Sequence, residues 1–189
     1  LILLNNDPKV HGILIQLPLP LNFNTQKILS SIKVDKDVDG LNPKSKFVPA
    51  TVIAILKILN TLTTDYRSLT TAIIGSNGFI GKSLIKELSK LKVKKIVKVD
   101  VNTKNFSEIK NADIVISATG QANLITKDLI KQGTVLIDVG APFSEFEKSC
   151  CQKASFYTPV PGGVGPVTIA CLFENLVNAV YNQTYKSHT

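Results

Sequence analysis

The sequence predicts an α/β protein: a Rossmann-like, doubly wound parallel sheet joined to a smaller α/β region. Three observations predict it. From Leu69 onward, short apolar runs alternate with helical spacing. A glycine-rich turn, Gly75 to Gly81, stands between the first such run and the first such helix. The runs are too far apart for hairpins, which makes the sheet parallel with helices as crossovers.

The runs are Thr70 to Ile74, Lys95 to Val101, Ala112 to Ser117 and Thr134 to Asp138. Ile80, Leu84, Ile85, Leu88 and Leu91 mark the apolar face of the helix after the turn. Ahead of this region lie an apolar strand at His11 to Gln16, stopped by Pro18 and Pro20, and an amphipathic helix over Thr25 to Ile32. A helix over Phe47 to Leu59 has Pro49 in its first turn. Thr61 to Ser68 is a polar break. After the sheet, the string PVPGGVGP breaks regular structure, and Ile169, Leu172, Phe173, Leu176 and Val180 line a terminal helix that Pro166 opens. The expected division is residues 1–60, a partial domain with a linking helix; 61–160, the Rossmann domain; and 161–189, a loop and helix returning to the first.

Composition narrows the classes. Of the 189 residues, 44% are hydrophobic and 19% charged, which excludes a disordered chain. No apolar run reaches the length of a membrane span. The chain starts at Leu1 and holds no methionine, so it reads as part of a longer protein. Cys150, Cys151 and Cys171 suggest no disulfide framework and fit a reducing, cytoplasmic compartment. A net charge of +8 suits an acidic partner such as a dinucleotide phosphate or a folate. The basic residues are dispersed, with no basic-aromatic module for nucleic acid, and no metal-ligand spacing appears.

The strand–turn–helix at Gly75, Ser76, Asn77, Gly78 and Gly81 is the strongest site read from the residues alone. Its glycines let the backbone approach a pyrophosphate, and the following helix offers free N–H groups to that anion. Asp100 closes the next strand, where a carboxylate would bond the ribose of NAD and repel the extra phosphate of NADP. Lys98 or Lys104 could counter that repulsion. A triphosphate P-loop at Gly81-Lys82-Ser83 fails because its first glycine would have to be Ser76.

At HGILIQLPLP, KDVDGLNP and TPVPGGVGPVT the sequence resembles the methylenetetrahydrofolate dehydrogenase/cyclohydrolase family, and ADIVISATGQANLITKDLIKQGTVLIDVG looks like its cofactor domain. The resemblance spans roughly residues 2 to 180. It implies oxidation of 5,10-methylenetetrahydrofolate by hydride transfer to NAD or NADP. It also implies hydrolysis of the methenyl product to 10-formyltetrahydrofolate, in one-carbon metabolism and purine biosynthesis, by a homodimer acting on tetrahydrofolate derivatives away from nucleic acid and membrane. By the same resemblance Asp39 holds the pterin and Gln16 lies near the catalytic lysine and the folate. Gly162 and Gly163 pass close to the folate, Thr168 sits near the nicotinamide, and Gly120 borders the cofactor. On the residues alone, Asp39-Gly40 is equally a turn.

The sequence departs from the family pattern in places. Ser76 stands where the family has a phosphate-gripping arginine, which favours NAD. Ala50 replaces a cysteine, VDVGAP replaces V-D-V-G-I-N, and the stretch between KDVDGLNP and FVPAT is short. Residues 1–189 contain no Tyr-x-x-x-Lys motif, so this chain alone is expected to lack hydrolysis. Two other readings are a relative that binds nucleotide or folate without turnover, and an unrelated amino- or hydroxy-acid dehydrogenase. The second leaves PGGVGPVT and KDVDG unexplained.

Overall fold

The structure is a computed structural model describing residues 1–100, 102 and 106–185. It divides into two compact units, one of Leu1–Ile53 with Thr168–Thr189 and one of Ala54–Val167.

The second unit carries a five-stranded, wholly parallel sheet: β1 (Thr70–Ile74), β2 (Lys95–Val99), β3 (Ile114–Ser117), β4 (Val135–Asp138) and β5 (Phe156–Tyr157), in the order β2-β1-β3-β4-β5. All of β3 and β4 is buried, as expected of parallel strands covered on both faces. On one face Ala72, Ile74, Val97, Val99, Val115 and Leu136 pack with Ile109, Ile125 and Ile130. Between β1 and β2 runs the helix Phe79–Lys90, with Gly81, Leu84 and Leu88 buried. Among the described residues the other crossovers carry 3-10 turns at Ser107–Asn111, Lys127–Leu129 and Lys148–Gln152, in place of the full helices that the sequence predicts. Their segments are short and polar, too short to nucleate an α-helix.

Among the described residues, the regular elements of the first unit are helices. Its helices are α1 (Ile2–Asn6) and α2 (Thr25–Ser30), whose N-cap Asn24 accepts from Lys27 N. Next is α3 (Ala50–Leu59), which runs on into the sheet unit; the helix Phe79–Lys90 is α4. Last is α5 (Val164–Tyr185), which begins in the sheet unit. The expected strand at 11–16 is reduced to one parallel bridge, Ile13 with Asp37. Gly12 allows this close approach: a Cβ there would lie 2.6 Å from Leu176 Cδ1 and 2.8 Å from Val38 Cγ1. The 22-residue α5 is long and apolar enough, by length and composition, to cross a membrane, which corrects the reading that no segment is. Cys171, Asn175 and Ala179 nevertheless form a buried edge, and Asn175 Nδ2 donates to Val38 O and Val48 O.

Candidate active site

In the order β2-β1-β3-β4-β5 the chain reverses direction of build between β1 and β3. Parallel sheets bind ligands in the crevice at such a switch point, beyond the carboxyl ends of the strands. The Gly75 turn occupies that place. Gly75 N and Ser76 N donate to Val99 O at 3.0 and 3.2 Å, and Gly78 N donates to Gly75 O at 2.9 Å. Gly75 has φ +82, and a Cβ on it would stand 2.5 Å from Ala118 O. A Cβ on Gly81 would stand 2.2 Å from Gly75 O. Both glycines are therefore required by backbone on the far side, while Asn77 and Gly78 are exposed at the N-terminus of α4. A pyrophosphate fits such a cradle of open backbone at a helix N-terminus.

Asp100 lies one residue past β2. Asn77 Nδ2 donates to Asp100 Oδ2, and Asn102 N donates to its Oδ1 at 2.8 Å. Asn77 and Asp100 are thus joined directly, a pairing that spacing alone does not reveal. Lys98 is exposed on β2, and Lys104 lies outside the described residues. Gly120, with φ +72 and open space around it, follows β3 on the opposite wall of the crevice.

Gly162 and Gly163 follow β5 in the same unit. Gly162 has φ +102 and is open, whereas a Cβ on Gly163 would stand 2.5 Å from Pro159 O. Thr168 is half-buried near the start of α5 and belongs to the other unit, with Asp39 and Gln16.

Asp39 lies in the turn Asp37–Gly40, where Gly40 N donates to Asp37 O at 3.1 Å. Gly40 has φ +71, and a Cβ on it would stand 2.7 Å from Pro49 N. The turn is thereby fixed against the start of α3. Asp37 is buried, with Oδ2 accepting from Asn42 N at 2.8 Å and Oδ1 lacking a partner. Among the described residues the half-buried Asp39 carboxyl accepts no hydrogen bond. Burial first, and then the Asp37 charge, holds it above its ordinary range. Gln16 is exposed, its Nε2 donating to Leu17 O, and lines an apolar depression of about 810 Å³ with Leu4, Ile13, Ile15 and Leu19.

Residues 1–39 match the tetrahydrofolate dehydrogenase/cyclohydrolase catalytic domain, and residues 49–184 match the NAD(P)-binding domain of the same family. The chain belongs to that family. A Helicobacter hepaticus relative named bifunctional protein FolD is 40% identical over 199 residues, with 94% of this chain and 68% of the relative covered. The crystal structure of the Campylobacter jejuni bifunctional enzyme FolD, a methylenetetrahydrofolate dehydrogenase/cyclohydrolase, superposes with a TM-score of 0.86 at 35% identity, over 96% of this chain and 71% of that one. The Trypanosoma brucei family member, complexed with NADP and an inhibitor, gives a TM-score of 0.86 at 28% identity, over 97% and 71%. Family membership disposes of the unrelated-dehydrogenase reading.

Sequence reasoning missed Asp138 and Glu145. Asp138 accepts from Gly140 N and Ser144 Oγ, and the buried Glu145 accepts from Ser117, Thr119 and Gly120. The available signal was weak: one acidic residue between two phenylalanines after a strand.

Proposed function

We propose that the protein oxidises 5,10-methylenetetrahydrofolate with NAD or NADP, and that hydrolysis of the methenyl product to 10-formyltetrahydrofolate needs a polarising lysine in addition to residues 1–189. The observation that carries the folate half is Asp39. A half-buried carboxyl without an internal partner is costly unless a ligand completes it. The amidine-like edge of a pterin supplies two parallel donors to such a group. Gly40 and Pro49 hold the backbone beneath it, so the carboxyl is oriented before the ligand arrives.

In the nucleotide half, the Gly75 turn and the first N–H groups of α4 receive the pyrophosphate, and Asp100 receives the ribose hydroxyls. The cofactor supplies the hydride acceptor when bound. Gly120 and Gly162 leave backbone open to the ligands, Gly163 lets the chain pass close against Pro159 beside the folate, and Thr168 is assigned to the nicotinamide side. Gln16 is assigned to the folate, beside a polarising lysine of the Tyr-x-x-x-Lys type that is not among residues 1–189. The same proposal places the protein in a reducing cytoplasm as a homodimer, away from nucleic acid and membrane; three cysteines outside any disulfide fit the reducing setting.

The test is absorbance of reduced nicotinamide in the presence of methylenetetrahydrofolate and either cofactor. Folate-dependent reduction is expected, and Asp39→Asn should weaken folate binding by about 1.5–3 kcal/mol, on the order of ten- to a hundredfold, with cofactor affinity unchanged. Absence of folate-dependent reduction, or a variant with wild-type folate affinity, sinks the proposal.

A further inference from the structure

Glu145 follows β4 in the chain, yet its side chain serves the loop that follows β3. It is 1% exposed. Its Oε1 accepts from Thr119 N at 2.9 Å and from Gly120 N at 2.7 Å. Its Oε2 accepts from Thr119 Oγ1 at 2.7 Å and from Ser117 Oγ. Two of these donors are backbone N–H groups, which cannot accept, so an acceptor-only carboxylate fits the site. A buried carboxylate is tolerated when hydrogen bonds meet its charge, and here four donors do so.

Glu145 is itself held. Its N–H donates to Asp138 Oδ2 at 3.0 Å, and Asp138 Oδ1 accepts from Gly140 N at 2.9 Å. Asp138 N donates to Thr158 Oγ1 at 2.8 Å, just after β5. The Glu145 carboxylate thus ties the loop after β4 to the end of β3, the Asp138 carboxylate holds that loop, and the Asp138 N–H ties β4 to the residue after β5. The loop they secure, Ala118 to Gly120, faces the Gly75 turn across the switch point, since a Cβ on Gly75 would meet Ala118 O.

We infer that Glu145 is a positioning residue for the dinucleotide, fixing the Ala118–Gly120 loop as the second wall of the crevice that the Gly75 turn opens. The inference rests on the nucleotide half of the proposed function. Glu145→Gln keeps the shape and removes one acceptor, so a backbone or hydroxyl donor of the loop loses its partner. The loop then samples other positions and the crevice binds less tightly, without any change in groups that touch the cofactor.

The test compares two variants of the full chain by calorimetry with NAD and with NADP, and by amide hydrogen exchange. The control is Asp113→Asn. It removes the charge that pairs with Lys131 and leaves one oxygen to accept from Thr70 N, at the opposite, amino end of the sheet. Glu145→Gln should raise the dissociation constant roughly tenfold, the effect of one lost charge-assisted bond. It should also speed exchange at Thr119 and Gly120, while Asp113→Asn leaves affinity within about twofold. Wild-type affinity in Glu145→Gln, or equal losses in both variants, overturns the inference and leaves the proposed function standing. If the unmodified chain binds neither cofactor, both fall. Should Glu145→Gln not fold, Glu145→Asp takes its place: its carboxylate is retracted by one methylene, and the same two outcomes decide.

Discussion

In the sheet unit, polar groups near the candidate site are answered from within: Asp100 by Asn77 and Asn102, Asp138 by Gly140 and Ser144, Glu145 by the β3 loop. In the unit around Asp39 they are not. Asp37 Oδ1 is buried without a partner, and Asp39 is crowded by a like charge. Large apolar side chains are also exposed there, among them Leu3, Leu21, Phe173 and Val177. Under the proposed function, the difference separates a scaffold, whose carboxylates are spent on holding loops, from a recognition surface, whose carboxyl is left for a ligand. The sheet unit also holds a buried atom without a partner, Thr71 Oγ1, but at the amino end of β1, away from the switch point.

The largest expected effect sets one glycine in each unit against the other. At Gly81 the walls met by a Cβ are backbone, Gly75 O at 2.2 Å and Ser76 Cα at 2.8 Å; at Gly12 they are side-chain ends of Leu176 and Val38. Gly81→Ala should cost about 3 kcal/mol in denaturant unfolding and Gly12→Ala roughly 1 kcal/mol, because methyl ends yield and backbone does not. Equal costs would remove the distinction between a rigid and a yielding unit.

A smaller effect sharpens the role of Asp100. With Ser76 in place of a phosphate-gripping arginine, NAD should bind more tightly than NADP, and Asp100→Ser should shift the ratio of affinities toward NADP about tenfold, or ~1.4 kcal/mol. Titration of both proteins with both cofactors decides. Tighter NADP binding by the unmodified chain would assign Asp100 to the Asn77 turn alone.

The smallest effect is one of stability and has a definite sign. The folded Asp39 carboxyl titrates above its ordinary 3.8, because burial and then Asp37 disfavour its charge. The folded state therefore holds that proton more tightly than the unfolded chain does. Stability from Asp39 is complete below 3.8 and is lost as pH rises through the raised value. Asp39→Asn should thus raise the thermal midpoint at neutral pH, and the gain should vanish in acid. A lower midpoint at neutral pH would show that the carboxyl is a structural group after all.

Much of the sheet was legible because burial on both faces leaves uninterrupted apolar runs: Thr70 to Ile74 is β1 residue for residue. The glycine turn was legible because only backbone contact explains glycines at 75 and 81. β5 was not, since two residues at an edge carry no periodicity. The run HGILIQ looked like a strand, but Ile13 alone forms a bridge there. The Asn77–Asp100 bond and the Glu145 brace were hidden for a common reason. Each joins loops that follow different strands, and strand order is not written in any local pattern.

The grip between Asp138 and Glu145 closes the intervening excursion into a handle. Ala141, Pro142 and Phe143 at its tip are all exposed, and the handle's two feet are fixed by their own hydrogen bonds. Lengthening such a closed loop costs only about 0.6 kcal/mol per doubling. The tip is therefore a natural port for insertion, where an affinity tag or a fluorophore-bearing peptide could be carried at small cost to the fold.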